Sequence, residues 1–160
     1  AHLLDVVLSN SPVSRDSTTV LHSHLIAQQP VSLVSRPPKP GQRKRLRFPQ
    51  DLEGLSVVLP AHPGSLRAAF DLELDRAGVQ ARVLAEVDDM AMLRLFARES
   101  GAVTLVPLVV VRDELASGVL VERARLASIR ESFYAITGDR RFPQPLLREL
   151  VAERRIDKLR

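Results

Sequence analysis

The segment AHPGS (61–65) gathers side chains and backbone suited to holding a ligand, because it links an apolar run, Leu55 to Leu59, to a helix that Ser65 begins and Gly78 ends. The N–H groups of Gly64 to Leu66 then lack carbonyl partners. A carboxylate or other anion could accept hydrogen bonds from them and from the Ser65 hydroxyl. Ser65 also suits the role of N-cap, worth roughly 1 kcal/mol, and that role is compatible with ligand contact through the backbone. His62 could sense pH, although an exposed loop histidine is the plainer reading. Ser9, Asn10 and Ser11 directly follow the apolar run Leu3 to Leu8, a place where small hydroxyl and amide groups can bond a ligand. The plainer reading there is a turn whose Asn and Ser bond their own backbone. His22 and His24, two apart on a β-like piece, have a metal pair's spacing, but no third ligand is marked nearby, so packing is the expectation. The chain has no Cys and lacks a GxSxG elbow, a P-loop, GxGxxG and an HExxH pair, so no catalytic residue, metal or cofactor is expected and the protein is read as no enzyme.

The elements that must position these groups form an α/β pattern from Leu55 to Leu120, with three strand-then-helix units and a closing strand. Helix 65–77 presents Leu66, Ala69, Phe70, Leu74 and Ala77 at three- and four-residue spacings. Strand 81–87 follows. Asp88 is expected to cap a helix whose Met92, Leu93, Leu95 and Phe96 point inward. AVTLVP (102–107) reads as a buried strand ended by Pro107, and 108–118 as a helix closed by Gly118, although Leu108 to Val111 could extend the strand. VLVER (119–123) returns as a strand.

On either side of this lobe the pattern is β-like. Thr18 to Ala27 and Val31 to Ser35 read as two pieces separated by a Gln-Gln-Pro turn, and 128–138 as a strand ended by Gly138. Pro143 and Pro145 open a final helix carrying Leu146, Leu147, Leu150 and Val151. The two chain ends are expected to pack together as a second lobe, giving 1–27 with 124–160 and a central lobe 28–123. Residues 36–50, RPPKPGQRKRLRFPQ, cannot build a core and mark a lobe boundary.

Over 160 residues, 45% hydrophobic and 26% charged composition is that of a globular protein with one good core. The absence of Cys fits a reducing, cytoplasmic compartment, and no apolar run approaches the roughly 20 residues a bilayer requires, so no membrane partner is expected. The net charge of +4 is local, concentrated in Arg43, Lys44, Arg45 and Arg47 and in a basic C-terminal end from Arg140 to Arg160. With 4% aromatic residues and no Trp, base-stacking platforms are few, and a solvated basic face is preferred to a direct nucleic-acid surface. The chain opens without an initiator Met, which suggests a fragment.

The strings LDVVLSNSP (4–12), LEGLSVVLPAHPGSLRAAF (52–70) and FYAITGDRR (133–141), in this order, resemble the effector-binding domain of LysR-type transcriptional regulators across nearly the whole chain. LDVVLSNSP and RESFYAITGDRRFPQP (130–145) look most like the subgroup that regulates sodium/proton antiporter genes. The resemblance implies a two-lobed α/β fold like type 2 periplasmic binding proteins, with the first lobe incomplete at its N-terminus. It also implies a small-molecule or ion effector in an interlobe cleft, a homo-oligomer (dimer or tetramer), and DNA contact through a winged helix-turn-helix domain absent from this chain. Carried over by position, the effector-binding candidates are Ser9, Asn10 and Ser11, then Ala61, His62, Gly64 and Ser65, with Thr104 and Pro107 closing the same wall. Where many members have Gly-x-Gly before the strand ending in Pro, this chain has Ser100, Gly101 and Ala102. A solute-binding protein of a transport system shares the architecture and is the alternative reading; it should carry an export signal.

Overall fold

A computed structural model describes residues 5–13 and 20–138. Leu3, Leu4, the basic end from 140 and the helix expected at 143–151 lie outside the described residues. The chain divides into two compact units, residues 1–28 with 131–160, and residues 29–130.

In the continuous unit, strands β3 (Ser56–Pro60), β4 (Arg82–Val87) and β5 (Val103–Pro107) run parallel, with β3 in the middle. The second half of β2 (Leu21–Ser35) pairs antiparallel with β5, Val31 opposite Pro107 and Val34 opposite Thr104. Alternation along these strands feeds two cores. Val31, Leu33, Val57, Leu59, Val103 and Leu105 face one side, where Leu66, Phe70 and Leu74 of α1 (Ser65–Ala77) close over them. Val34, Val58 and Val106 face the other, against Leu93 and Ala97 of α2 (Met90–Glu99). Strands covered on both faces read as near-continuous apolar runs, as they do here. At a typical 1.5–3 kcal/mol per buried aliphatic or aromatic side chain, these cores supply the main stabilising term.

Several boundaries differ from the sequence reading. The two pieces expected on either side of Gln28-Gln29-Pro30 are one strand, β2, of 15 residues. Pro30 removes one ladder donor but sits where the chain passes between units, so the strand continues through it. Likewise 121–123 of the strand expected at 119–123, together with 128–138, belong to a single strand, β6 (Val121–Gly138). The N-cap of α2 is Asp89 rather than Asp88, its Oδ1 accepting from Met92 N at 2.8 Å. The buried face is narrower than expected: Leu93 and Ala97 are buried, Phe96 is half-buried, and Met92 and Leu95 are exposed. Leu108–Val111 is a 3-10 turn leading into α3 (Arg112–Ser117), which Gly118 ends at φ 75°. Ala77, expected inward on α1, is exposed.

The discontinuous unit contains β1 (Val6–Ser9), antiparallel to β6 with Val6 opposite Thr137 and Ser9 opposite Tyr134. The first half of β2 meets β6 through side chains, His24 Nε2 with Thr137 Oγ1 at 3.2 Å and Gln28 Nε2 with Ser132 Oγ at 3.2 Å.

Candidate functional site

Four of the candidate residues form one loop in the continuous unit. β3 ends at Pro60, the half-buried Ala61 donates its N–H to Val87 O at 2.9 Å beyond the end of β4, and α1 starts at Ser65. Gly64, not Ser65, occupies the N-cap position, with extended backbone (φ −156°, ψ 139°) and no side chain capping the first turn. Ser65 is thus the first helical residue, and the cap expected of its hydroxyl does not form. The consequence is a helix N-terminus whose leading amides face outward without a side-chain acceptor. A Cβ on Gly64 would lie 3.4 Å from Ala61 O, so glycine keeps this turn compact.

The loop is fastened from below by Arg67. Its Nε donates to both Asp71 carboxylate oxygens at 2.9 Å, and its Nη1 donates to Pro60 O at 3.1 Å and pairs with Glu86 Oε1 at 2.8 Å. His62 Nε2 lies 3.1 Å from Asp71 Oδ2. Burial opposes the Arg67 charge, but the hydrogen bonds it donates to Asp71 and Glu86 outweigh it and leave its pKa above the ordinary value. With the guanidinium neutralised by two carboxylates, attraction for an anion at this loop comes from the helix amides. Sequence reasoning passed over Arg67: Arg67 and Asp71 have the i, i+4 spacing of an ordinary surface pair, and only the buried Pro60 carbonyl distinguishes them.

In the discontinuous unit, Ser9, Asn10 and Ser11 follow β1. Ser11 N donates to Ser9 Oγ at 3.1 Å, so the serine does bond its own turn. Beneath them Glu131 is 0% exposed, and neither carboxylate oxygen has a well-formed hydrogen bond, the Asn10 side chain being its one polar neighbour among the described residues. Burial pushes its pKa up, and the Asn10 side chain pulls it part of the way back. Nothing in the sequence marked Glu131, which sits in an otherwise ordinary strand.

Thr104 and Pro107 belong to β5, the strand that runs parallel beside β3. Thr104 lies between Val34 and Val58 on the α2 face, fully buried, and its Oγ1 has no partner. Pro107 is buried at the end of β5 and leads into the 3-10 turn. His22 and His24 have ring centroids 6.4 Å apart; among the described residues no group of three or more His, Cys, Asp or Glu could hold a metal ion. Among the described residues no helix is long and apolar enough to cross a membrane.

Comparison with known proteins decides the family, since the LysR substrate binding domain matches residues 1–155. The chain belongs to this family. It is 25% identical over 149 residues, 93% of its length, to the transcriptional activator protein NhaR of Escherichia coli strain K12. It spans 48% of that relative, about half its length. Among solved structures it is similar to the regulatory domain of Synechocystis CcmR in complex with 2-PG, with TM-score 0.69, 13% identity, and coverage of 96% of this chain and 74% of that one. It is also similar to CbnR, a LysR family transcriptional regulator, with TM-score 0.68, 18% identity, and coverage of 95% and 52%. The fold is thus the periplasmic-binding-protein-like α/β fold of LysR regulatory domains.

Proposed function

We propose that this LysR-family chain is an effector-sensing regulatory domain of a transcriptional regulator that binds a small molecule or ion and thereby controls DNA binding or transcription activation. The Arg67-anchored loop 61–65 carries this reading. It presents an uncapped helix N-terminus on a backbone held by a buried guanidinium, which suits a carboxylate or another small anion. Ser65 and the Gly64–Leu66 amides bind it, and His62 and Ala61 shape the approach. Thr104 and Pro107 support the wall from β5, and on the discontinuous unit Ser9, Asn10 and Ser11 offer small polar groups of their own to a ligand. The mechanism is a population shift without covalent chemistry: an effector that binds one state better favours that state. The promoter sequence is read by a part of the regulator other than this chain, the regulator works as a homo-oligomer in the cytoplasm, and its targets include sodium/proton antiporter genes.

A thermal-shift screen of the chain against salts, pH steps and small carboxylates tests this. A specific ligand at a hundred times its Kd stabilises by about 2.7 kcal/mol. Replacing Ser65 with Pro, which removes one of the amides, should reduce that shift while leaving the unliganded Tm close to native, since proline is tolerated at the first helical position. Absence of any selective shift across the screen, or equal shifts in both proteins, refutes the reading.

A further inference from the structure

The loop after β2 carries Arg36, Lys39, Arg43, Lys44, Arg45 and Arg47 with no acidic residue between them, and all six are exposed. Repulsion among them favours an expanded chain, yet the backbone is pinned. Arg123, only 8% exposed, donates from Nε to Lys44 O at 3.0 Å, from Nη2 to Arg43 O at 2.7 Å and from Nη1 to Ser35 Oγ at 2.8 Å. Leu46 N donates back to Arg123 O at 2.7 Å, and a turn is closed by Gln42 N to Lys39 O and Lys39 N to Gln42 Oε1, both 3.0 Å. Arg123 has no carboxylate partner among the described residues, so a seventh positive charge is buried under the other six.

Compensation is partial. Arg47 pairs with Asp51 at 2.8 Å, Arg43 reaches the same carboxylate only at 4.0 Å, and Arg36 pairs with Glu99 at 3.2 Å. Lys39, Lys44 and Arg45 have no ion pair within 4 Å among the described residues, Arg45 being compensated only at longer range by Glu122. The two large apolar side chains of the region, Leu46 and Phe48, turn inward onto the first core, and Phe48 stacks on Phe70 with centroids 5.6 Å apart. A folded acidic protein would need an apolar anchor on this surface, and single-stranded nucleic acid would need an aromatic platform; the loop offers neither.

We propose that residues 36–47 form a preorganised docking surface for the phosphate backbone of duplex DNA, contacted through Lys39, Lys44 and Arg45. The surface reads charge and not sequence, and it is independent of which effector the chain senses.

The test is anisotropy of a short labelled duplex of arbitrary sequence titrated with the chain at graded salt. The native chain is compared with the triple variant K39Q/K44Q/R45Q and with a control altered in the basic C-terminal end, R154Q/R155Q. At a slope of about −0.9 per phosphate contact, the three side chains account for about a 40-fold loss of affinity between about 50 and about 200 mM salt. The triple variant should flatten the slope of log affinity against log salt by about 2.7 with an unchanged Tm, and the control should not. No duplex binding by the native chain, equal slopes in native and triple variant, loss confined to the control, or tighter binding to a single strand or to polyglutamate than to duplex would each overturn the proposal.

Discussion

Arg67 on α1 is tied to Glu86 on β4, Nη1 to Oε1 at 2.8 Å, and the same nitrogen holds the Pro60 carbonyl at 3.1 Å. One guanidinium therefore joins the first helix, an edge strand and the start of the candidate loop. Arg67→Ala strands the buried carbonyl and should cost about 2 kcal/mol in urea unfolding. Arg67→Lys should recover little of it, because one ammonium cannot serve the planar spread of Asp71, Glu86 and Pro60. Full recovery by lysine would show that charge, and not the fork, is what matters.

Glu131 makes stability fall with pH. Its folded-state pKa lies above the ordinary carboxylate value, so the protein is favoured while the group is protonated in both states. That advantage is lost as pH rises from the unfolded value through the raised folded one. Glu131→Gln should therefore be more stable than native at pH 7 and indistinguishable near pH 3. Denaturant midpoints at the two pH values decide the matter, and a variant less stable at pH 7 contradicts the assignment.

Asp51 has the opposite sign. The side-chain hydrogen bond from Arg47 is the largest of the influences that lower its pKa from 3.8 to about 2. Its contribution is complete above the unfolded value and lost as pH falls through about 2. Asp51→Asn should flatten the acid limb between pH 4 and 2 and leave the alkaline limb of the profile alone, as followed by circular dichroism.

Asp89 fixes the start of α2 through its bond to Met92 N. Asp89→Ala should cost about 1 kcal/mol, and Asp89→Ser should restore most of it. Chemical unfolding of the two variants measures the difference, and an Asp88→Ala control should change little.

Leu72 on α1 is 48% exposed, and Val83 and Leu84 on the edge strand β4 are 42% and 51% exposed. An edge strand and a helix with uncovered apolar side chains suit self-association of a homo-oligomer. Replacing Leu72 and Leu84 with Glu should shift sedimentation at tens of micromolar towards monomer without lowering Tm. An unchanged distribution assigns the assembly to another surface.

The α/β alternation of 55–120 was legible because β3 and β5 are covered on both faces and each long helix has one apolar side. Boundaries in β2 and β6 were not, since Pro30 and the polar stretch of β6 mimic turns when neighbouring strands cannot be seen. The loop at 61–65 could be found from its Pro, Gly and Ser, but its anchor could not: Arg67 looks like any helix-surface cation until Pro60 O is placed against it. Glu131 and Arg123 were equally hidden, because burial of a charged side chain in a strand is decided by partners 79 to 88 residues away for Arg123 and by tertiary packing for Glu131.

Gln28 and Ser132, 104 positions apart in the chain, touch at 3.2 Å through their side chains, and between them lies the whole of the continuous unit with both of its cores. That central piece is topologically an insert: a gene coding for 29–130 alone would keep every residue of the two apolar clusters. Splicing the flanking halves through a short glycine bridge at the Gln28–Ser132 contact would ask the other unit to close on itself, so each part can be expressed and titrated separately.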